Sequence, residues 1–395
     1  VVDGGRRSRA LRACLRLPGR GRARVLAGHP WLFANELREP VPEALAGEGC
    51  ALRDARGRFL GSGIANPRSA IAWRRYSREP REFDARFLRE AIAAAVARRA
   101  PEALRRLVFS ESDDLPGLVV DHYEDLLVGQ IGTLALERRQ ALVEEILGEL
   151  LAPGEIVWRN DFPARRREGL ALGVATRSGK PAEPRFVRVG AVELWLDAMA
   201  GQKTGLYLDQ RREYARVAAH APGRRVLDAF CYSGGFALHC AAAGAESVLA
   251  VEASETAVAA ARRAAERSAL GPKVEFRVAN AFDFFGAERS RAFDLVVLDP
   301  PPFARSKQTL DRALRGYKEI HLRALQRLAP GGILATYACS HHVGHEALLG
   351  VIGSAAHDAR RAVRVLEHCP QPPDHPVLPG MPESEYLRGF VLAVD

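Results

Sequence analysis

Lysine is scarce in this chain. Only Lys180, Lys203, Lys273, Lys307 and Lys318 occur among its 57 basic residues, so the formal charge of +9 and the pI near 9.5 rest on arginine. That balance favours a polyanionic partner, although an arginine bias beside abundant alanine and glycine also follows from genome composition. Long hydrophobic runs are lacking as well. No apolar stretch approaches the roughly 20 residues needed to cross a bilayer, and Val1 to Arg7 lacks the apolar segment of a signal peptide. The expected address is the cytoplasm, with no membrane partner. The six cysteines, Cys14, Cys50, Cys231, Cys240, Cys339 and Cys369, form no Cys-x-x-Cys pair and no disulfide framework, so they read as reduced thiols. His341, His342 and His345 follow Cys339 closely, yet no second ligand cluster accompanies them and no metal is expected.

What is present divides into three. With 395 residues, 47% of them hydrophobic, the chain is long enough for several buried cores. Residues 1–81 carry short apolar stretches broken by glycine, proline and arginine, including two predicted strands around the Ala55-Arg56-Gly57 turn, and suit a small β-barrel. Residues 82–185 predict a small α+β domain. It has an amphipathic helix from Asp84 to Arg99, a hairpin over 118–123 and 126–131, a helix over 135–151 and a strand over 155–159. The polar stretch 177–184 is its linking loop.

Residues 186–395 alternate strands with helices, the pattern of an α/β sheet domain. Strands are predicted at 225–230, 247–252, 274–279, 293–298 and 332–338, helices at 255–268, 308–328 and 345–356, and closing strands near 363–367 and 387–394.

The first of these strands runs into Asp228-Ala229-Phe230-Cys231-Tyr232-Ser233-Gly234-Gly235-Phe236, a tight turn opening a helix. Gly234 and Gly235 let backbone approach a ligand with no Cβ in the way. Gly-x-Gly-x-x-Gly is absent here, so an adenosyl group fits better than a dinucleotide pyrophosphate. Glu252 ends the second strand, where a carboxylate can accept from both ribose hydroxyls. Asn280 ends the third, where an amide can meet the adenine edge with Ala281 and Phe282 beside its plane. Successive strand ends serving ribose, adenine and methionine form an S-adenosylmethionine pocket. Its candidate contacts are Asp228, Phe230, Tyr232, Ser233, Gly234, Glu252, Ala253, Asn280, Ala281 and Asp299.

Two further strand ends carry chemistry. Asp299-Pro300-Pro301-Pro302-Phe303 stiffens a strand exit and presents a carboxylate, with Pro300, Pro301 and the stackable Phe303 as candidate contacts to a planar substrate. The run Ile333 to Ala338 ends in Cys339. Carbon C5 of cytosine is not nucleophilic until something adds to C6, and a thiolate does this well; a helix start and a nearby arginine would favour that ionised form. A buried thiol at a strand end is the plainer alternative.

These residues resemble the bacterial ribosomal large-subunit RNA (cytosine-5) methyltransferase I family over nearly the whole chain. The matching segments are Gly28-His29-Pro30-Trp31-Leu32-Phe33, Glu111 to Leu118, Gln202 to Arg211, Cys231 to Phe236, Asp299-Pro300-Pro301, Arg315-Gly316-Tyr317-Lys318, Ala338-Cys339-Ser340 and Asp374-His375-Pro376. The resemblance implies an N-terminal PUA domain that grips RNA, a central α+β domain, a Rossmann-like class I methyltransferase domain, and a homodimer. It implies that Cys339 is the nucleophile and that Asp299 orients cytosine through N3 and the amino group. Tyr207 and Gln210, inside one matched segment, join the cofactor contacts. Pro302 replaces a lysine frequent in the family, and His341-His342 stands where small or apolar residues are usual, both on the substrate side.

The expected function is therefore methylation of cytosine C5 in 23S (large-subunit) rRNA, with a flipped base, a Cys339–C6 adduct, and water, Asp299 or His341 removing the C5 proton. An exocyclic-amine methyltransferase acting on guanine N2 or adenine N6 would need Asp299 and Phe303 but not Cys339. A non-catalytic RNA-binding protein would need only the barrel. Arg74, Arg75, Arg165, Arg166 and Arg167 are either phosphate contacts or exposed, solvated arginines, and their residue type alone does not favour the first.

Overall fold

The computed structural model describes residues 14–17, 22–287, 292–303, 310–340 and 342–395. They fall into two compact units, one drawn from Val1–Glu183, Asp197–Gly205 and Pro373–Ser384, the other from Pro184–Leu196, Leu206–Pro372 and Glu385–Asp395. Among the described residues no helix is long and apolar enough to cross a membrane.

The first unit opens with β1 (Cys14–Arg16), α1 (Arg22–Leu26), β2 (Trp31–Phe33), β3 (Gly49–Arg53), β4 (Phe59–Ala65) and β5 (Ile71–Ser77), which form a sheet in the order β1-β3-β4-β5-β2. The predicted turn between β3 and β4 is closed by Asp54, whose Oδ1 accepts from the amides of Arg56 and Arg58. Next come α2 (Ala85–Ala97), β6 (Leu104–Phe109), β7 (Leu118–Tyr123), β8 (Leu126–Ile131), α3 (Leu134–Glu137), α4 (Gln140–Leu151), β9 (Glu155–Asn160) and β10 (Gly173–Thr176), with sheet order β10-β9-β8-β7-β6. Asp84 caps α2 by accepting from the Phe87 amide, and Phe87, Leu88, Ile92 and Ala95 give it a buried face.

The single helix expected over 135–151 is two. At the break, Arg138 and Arg139 direct their guanidinium groups to the carbonyls of Ala46 and Gly47, and Arg139 leaves helical geometry at φ −120° and ψ 15°.

The second unit starts with a hairpin of β11 (Arg185–Val189) and β12 (Val192–Leu196), followed by α5 (Arg211–Ala218), β13 (Arg225–Asp228), α6 (Gly235–Ala242), β14 (Ser247–Glu252), α7 (Glu255–Arg267), β15 (Val274–Val278) and α8 (Ala281–Ala287). It ends with β16 (Phe293–Leu298), α9 (Leu310–Arg327), β17 (Leu328–Cys339), α10 (His345–Ala359), β18 (Val363–Pro370) and β19 (Leu387–Val394). Seven described strands make one sheet in the order β15-β14-β13-β16-β17-β19-β18. All neighbours are parallel up to β17, and β19 runs antiparallel to both β17 and β18. This is the α/β, Rossmann-like arrangement expected from residues 186–395.

The central strands are near-continuous apolar runs because helices cover both faces. Val296, Leu298, Leu334, Phe390 and Leu392 are fully buried, each worth about 2 kcal/mol relative to exposure. Strand order reverses between β13 and β16, so their carboxyl ends open a crevice, the usual ligand site of such sheets.

Gly389 of β19 lies directly opposite Tyr337 of β17, and a Cβ there would sit 2.3 Å from the tyrosine ring. Gly350, exposed within α10, has open space around it. Gly389→Ala should therefore lower stability by about 1–3 kcal/mol, whereas Gly350→Ala should raise it by up to about 1 kcal/mol; denaturant titration of both variants checks the pair.

Candidate functional site

The turn from β13 into α6 is built by steric fit. Tyr232 holds φ +46° and Gly234 φ +84°, and a Cβ on Gly235 would lie 2.4 Å from the ring of Tyr214. Beneath the turn the Tyr214 ring meets Phe236 edge-on at 4.8 Å, and Phe236 stacks on Tyr337 at 5.3 Å. A glycine at 235 is thus needed for close packing of helix on aromatic core.

Carboxylates gather around this turn. Asp228, fully buried, accepts from the Ala237 amide through Oδ2 at 3.0 Å, while its Oδ1 has no hydrogen-bond partner. Burial, reinforced by the charges of Asp299 and Glu252 and opposed by the Ala237 amide, pushes its pKa from 3.8 to about 8. Glu252 is half-buried and accepts from the amides of Tyr232 at 3.1 Å and Ser254 at 2.9 Å, which fixes its carboxylate at the exit of β14 beside the exposed Ala253. Tyr207 meets Tyr232 edge-on at 5.0 Å, and burial first, then Tyr232, Asp299 and Cys339, push its phenol well above the usual range.

Asp299 directly follows β16, and Cys339 is the last residue of β17, the adjacent parallel strand. The Cys339 thiol donates to Asp299 Oδ1 at 3.6 Å, and both side chains are partly exposed. From the turn before α5, Gln210 donates through Nε2 to Asp299 Oδ2 at 2.9 Å. Gln210 is 2% exposed and its Oε1 has no partner. Tyr317, on α9, is fully buried with its hydroxyl also unpartnered, and its pKa is raised by burial and then by Cys339 and Asp299.

The carboxyl edge thus gathers Asp228 at the end of β13 with Phe230, Tyr232, Ser233 and Gly234 beyond it, Glu252 at the end of β14 followed by Ala253, and Asn280 just before Ala281 opens α8. Asn280 turns its Oδ1 to the Phe282 amide at 2.9 Å, leaving the amide NH2 as the group it can offer a ligand. Pro300 is buried and Pro301 exposed. The ring of Phe303 packs against Tyr317 at 4.7 Å and Phe282 at 5.8 Å, so it is held by the core. His341 lies outside the described residues.

Three of the arginines proposed for phosphate are engaged internally. Arg74 pairs with Glu111 and Glu168, Arg75 donates to the Gly28 carbonyl, and Arg165 pairs with Glu137 at 2% side-chain exposure. A buried guanidinium with a carboxylate partner is a structural tie. Arg166 and Arg167 are exposed. The arginine nearest in register to Cys339, Arg388, opposes Ala338, donates to the carbonyls of Ser340 and Val343, and pairs with Glu385. The link from Gln210 to Asp299 has no local sequence signal, because the two lie on separate elements.

Comparison with known proteins agrees with this layout. Residues 166–383 match the model of S-adenosylmethionine-dependent methyltransferases, and residues 15–78 match that of PUA-like domains. Ribosomal RNA large subunit methyltransferase I of Shewanella denitrificans is 37% identical over 392 residues, covering 95% of this chain and 98% of its own. Its namesake from Tolumonas auensis is 36% identical over 380 residues, covering 93% and 96%. A methyltransferase solved with SAH superposes with a TM-score of 0.83 at 18% identity, over 96% of this chain and all of its own, 100%. A protein described as a SAM-dependent methyltransferase from Streptococcus mutans gives 0.81 at 17%, with the same coverage of 96% and 100%. At such identities the two structures show the shared fold. With its S-adenosylmethionine-dependent methyltransferase domain preceded by a PUA-like domain, the chain belongs to the ribosomal RNA large subunit methyltransferase I family.

Proposed function

We infer that this enzyme methylates C5 of a cytosine in large-subunit ribosomal RNA through a covalent Cys339 adduct. The observation that carries the reading is the contact of the Cys339 thiol with Asp299 Oδ1 at 3.6 Å on neighbouring strand ends. A thiol idle in catalysis has no reason to share that edge with the only carboxylate of the Asp299-Pro300-Pro301 exit. The substrate class comes from the relatives named above and from the PUA-like residues, which we assign to gripping RNA within residues 1–81. The small domain over 82–185, a homodimer and a cytoplasmic address complete the proposal on the family resemblance.

The residues fit S-adenosylmethionine. Its sulfonium and ammonium groups are cationic, and the turn after β13 offers the partnerless Asp228 Oδ1 and the carboxylates of Glu252 and Asp299. Glu252 suits the ribose hydroxyls and the Asn280 amide the adenine edge, while Tyr207, Phe230, Tyr232, Ser233, Gly234, Ala253 and Ala281 form the walls. Bound there, the cofactor supplies an electrophilic methyl group to an activated carbon.

The chain's own groups supply the activation. Asp299 takes the thiol proton, and the Cys339 sulfur bonds to C6 of the flipped base while the C5–C6 π pair shifts to C4–C5 and the C4–N3 π pair moves onto N3. Asp299 passes its proton to N3 and holds the amino group, so C5 becomes nucleophilic. Once C5 is methylated, a base removes its proton, the double bond re-forms, N3 returns its proton, and Cys339 leaves.

Cys339→Ala should lower methyl transfer to RNA by at least about a thousandfold while leaving cofactor affinity within about threefold. Wild-type enzyme should form a denaturant-resistant adduct with RNA carrying 5-fluorocytosine, since fluorine at C5 blocks the elimination that frees Cys339. Transfer that survives Cys339→Ala unchanged would favour an exocyclic-amine mechanism.

A second prediction follows from Asp228. Because its folded pKa is raised from 3.8 to about 8, the stability it contributes is full below the unfolded value and is lost as pH rises through the folded one. Asp228→Asn should therefore gain stability relative to wild type between about pH 4 and pH 8, and saturating S-adenosylmethionine should narrow that gap; denaturation midpoints at both pH values measure it.

A further inference from the structure

Gln210 stands out among the buried polar groups of the second unit. Asp299 has two oxygens with different partners: Oδ1 meets the Cys339 thiol at 3.6 Å, and Oδ2 accepts from Gln210 Nε2 at 2.9 Å. The terminal torsion of an Asp carboxylate is broad. The Gln210 donor narrows it, because its bond to Oδ2 favours the orientation in which Oδ1 meets the thiol. Gln210 is itself held rigid, 2% exposed on a short 3-10 turn, Leu208–Gln210, that leads directly into α5. Its other amide atom, Oε1, is buried and has no partner, which leaves its desolvation uncompensated. An acceptor kept dry and unpaired beside the reacting pair is suited to a ligand N–H.

We propose that Gln210 is a positioning residue of the substrate side: its Nε2 fixes Asp299 for contact with Cys339 and the base, and its Oε1 accepts from the exocyclic amine of the target cytosine. This departs from placing Gln210 among the cofactor contacts. The proposal rests on the Cys339 and Asp299 chemistry described above. Carbonyl and carboxylate together match an amino group and repel the O4 carbonyl of uracil, so the pair discriminates cytosine from uracil.

Two variants test it, Gln210→Leu and the isosteric Gln210→Glu, with S-adenosylmethionine calorimetry confirming that each folds and binds cofactor. Gln210→Leu should slow adduct formation with 5-fluorocytosine RNA by about a hundredfold while cofactor affinity stays within about threefold. Gln210→Glu should be equally slow near pH 8, where glutamate cannot donate, and should recover toward wild type by about pH 6, where a protonated carboxyl can donate to Asp299. A merely structural role would give no such recovery. Trapping by Gln210→Leu at the wild-type rate would overturn the proposal, as would a loss confined to cofactor affinity, which would return Gln210 to the cofactor's ammonium group. If wild-type enzyme forms no adduct while both variants bind cofactor normally, the cysteine reading fails and the Gln210 assignment falls with it.

Discussion

Adjacency of two parallel strand ends is the constraint on which the site depends. Strands β16 and β17 run side by side, and the carboxylate that follows one meets the thiol that ends the other. Neither residue is local to the other in sequence. The contact is produced by sheet register, and the register by the apolar runs Phe293–Leu298 and Ile333 to Ala338, buried under helices on both faces. Chemistry at this edge therefore inherits its precision from the core rather than from flexible loops, an arrangement that suits a reaction with little tolerance for misplacement.

The same edge is electrostatically unfinished in the protein alone. Burial, with the charges of Asp299 and Glu252 beside it, pushes the Asp228 pKa from 3.8 to about 8. A cationic ligand relieves that repulsion, so the acidic edge favours a sulfonium donor over its neutral thioether product. Two unpartnered polar atoms, Asp228 Oδ1 and Gln210 Oε1, are further groups that binding can satisfy.

Much of this was legible from residue order. Apolar runs with their glycine turn located β14, β16 and β19 at their observed bounds, whereas β17 starts at Leu328 and β18 runs to Pro370, beyond the expected 332–338 and 363–367; the strand ends selected Asp228, Glu252, Asp299 and Cys339 as candidates. Less visible were features decided by distant partners. The β11–β12 hairpin passed unnoticed although Val187, Val189, Val192, Leu194 and Leu196 alternate around Gly190, because charged and aromatic residues interleave with them. The break between α3 and α4 depends on carbonyls at Ala46 and Gly47, far away in the chain. Arg74 and Arg165, candidates for phosphate or solvent from sequence, are tied to Glu111, Glu168 and Glu137, partners distant in the chain. The ring of Phe303, a candidate contact to a base, is supported by Tyr317 and Phe282, which sequence spacing cannot foresee.

The central claim is that a sulfur nucleophile adds to C6 of the pyrimidine so that carbon, not nitrogen, is methylated. Nucleoside mass spectrometry of deproteinised large-subunit rRNA, incubated with the enzyme and isotopically labelled S-adenosylmethionine, addresses it directly. The account predicts label in 5-methylcytidine. Label in N2-methylguanosine or N6-methyladenosine, or in no nucleoside at all, would contradict it.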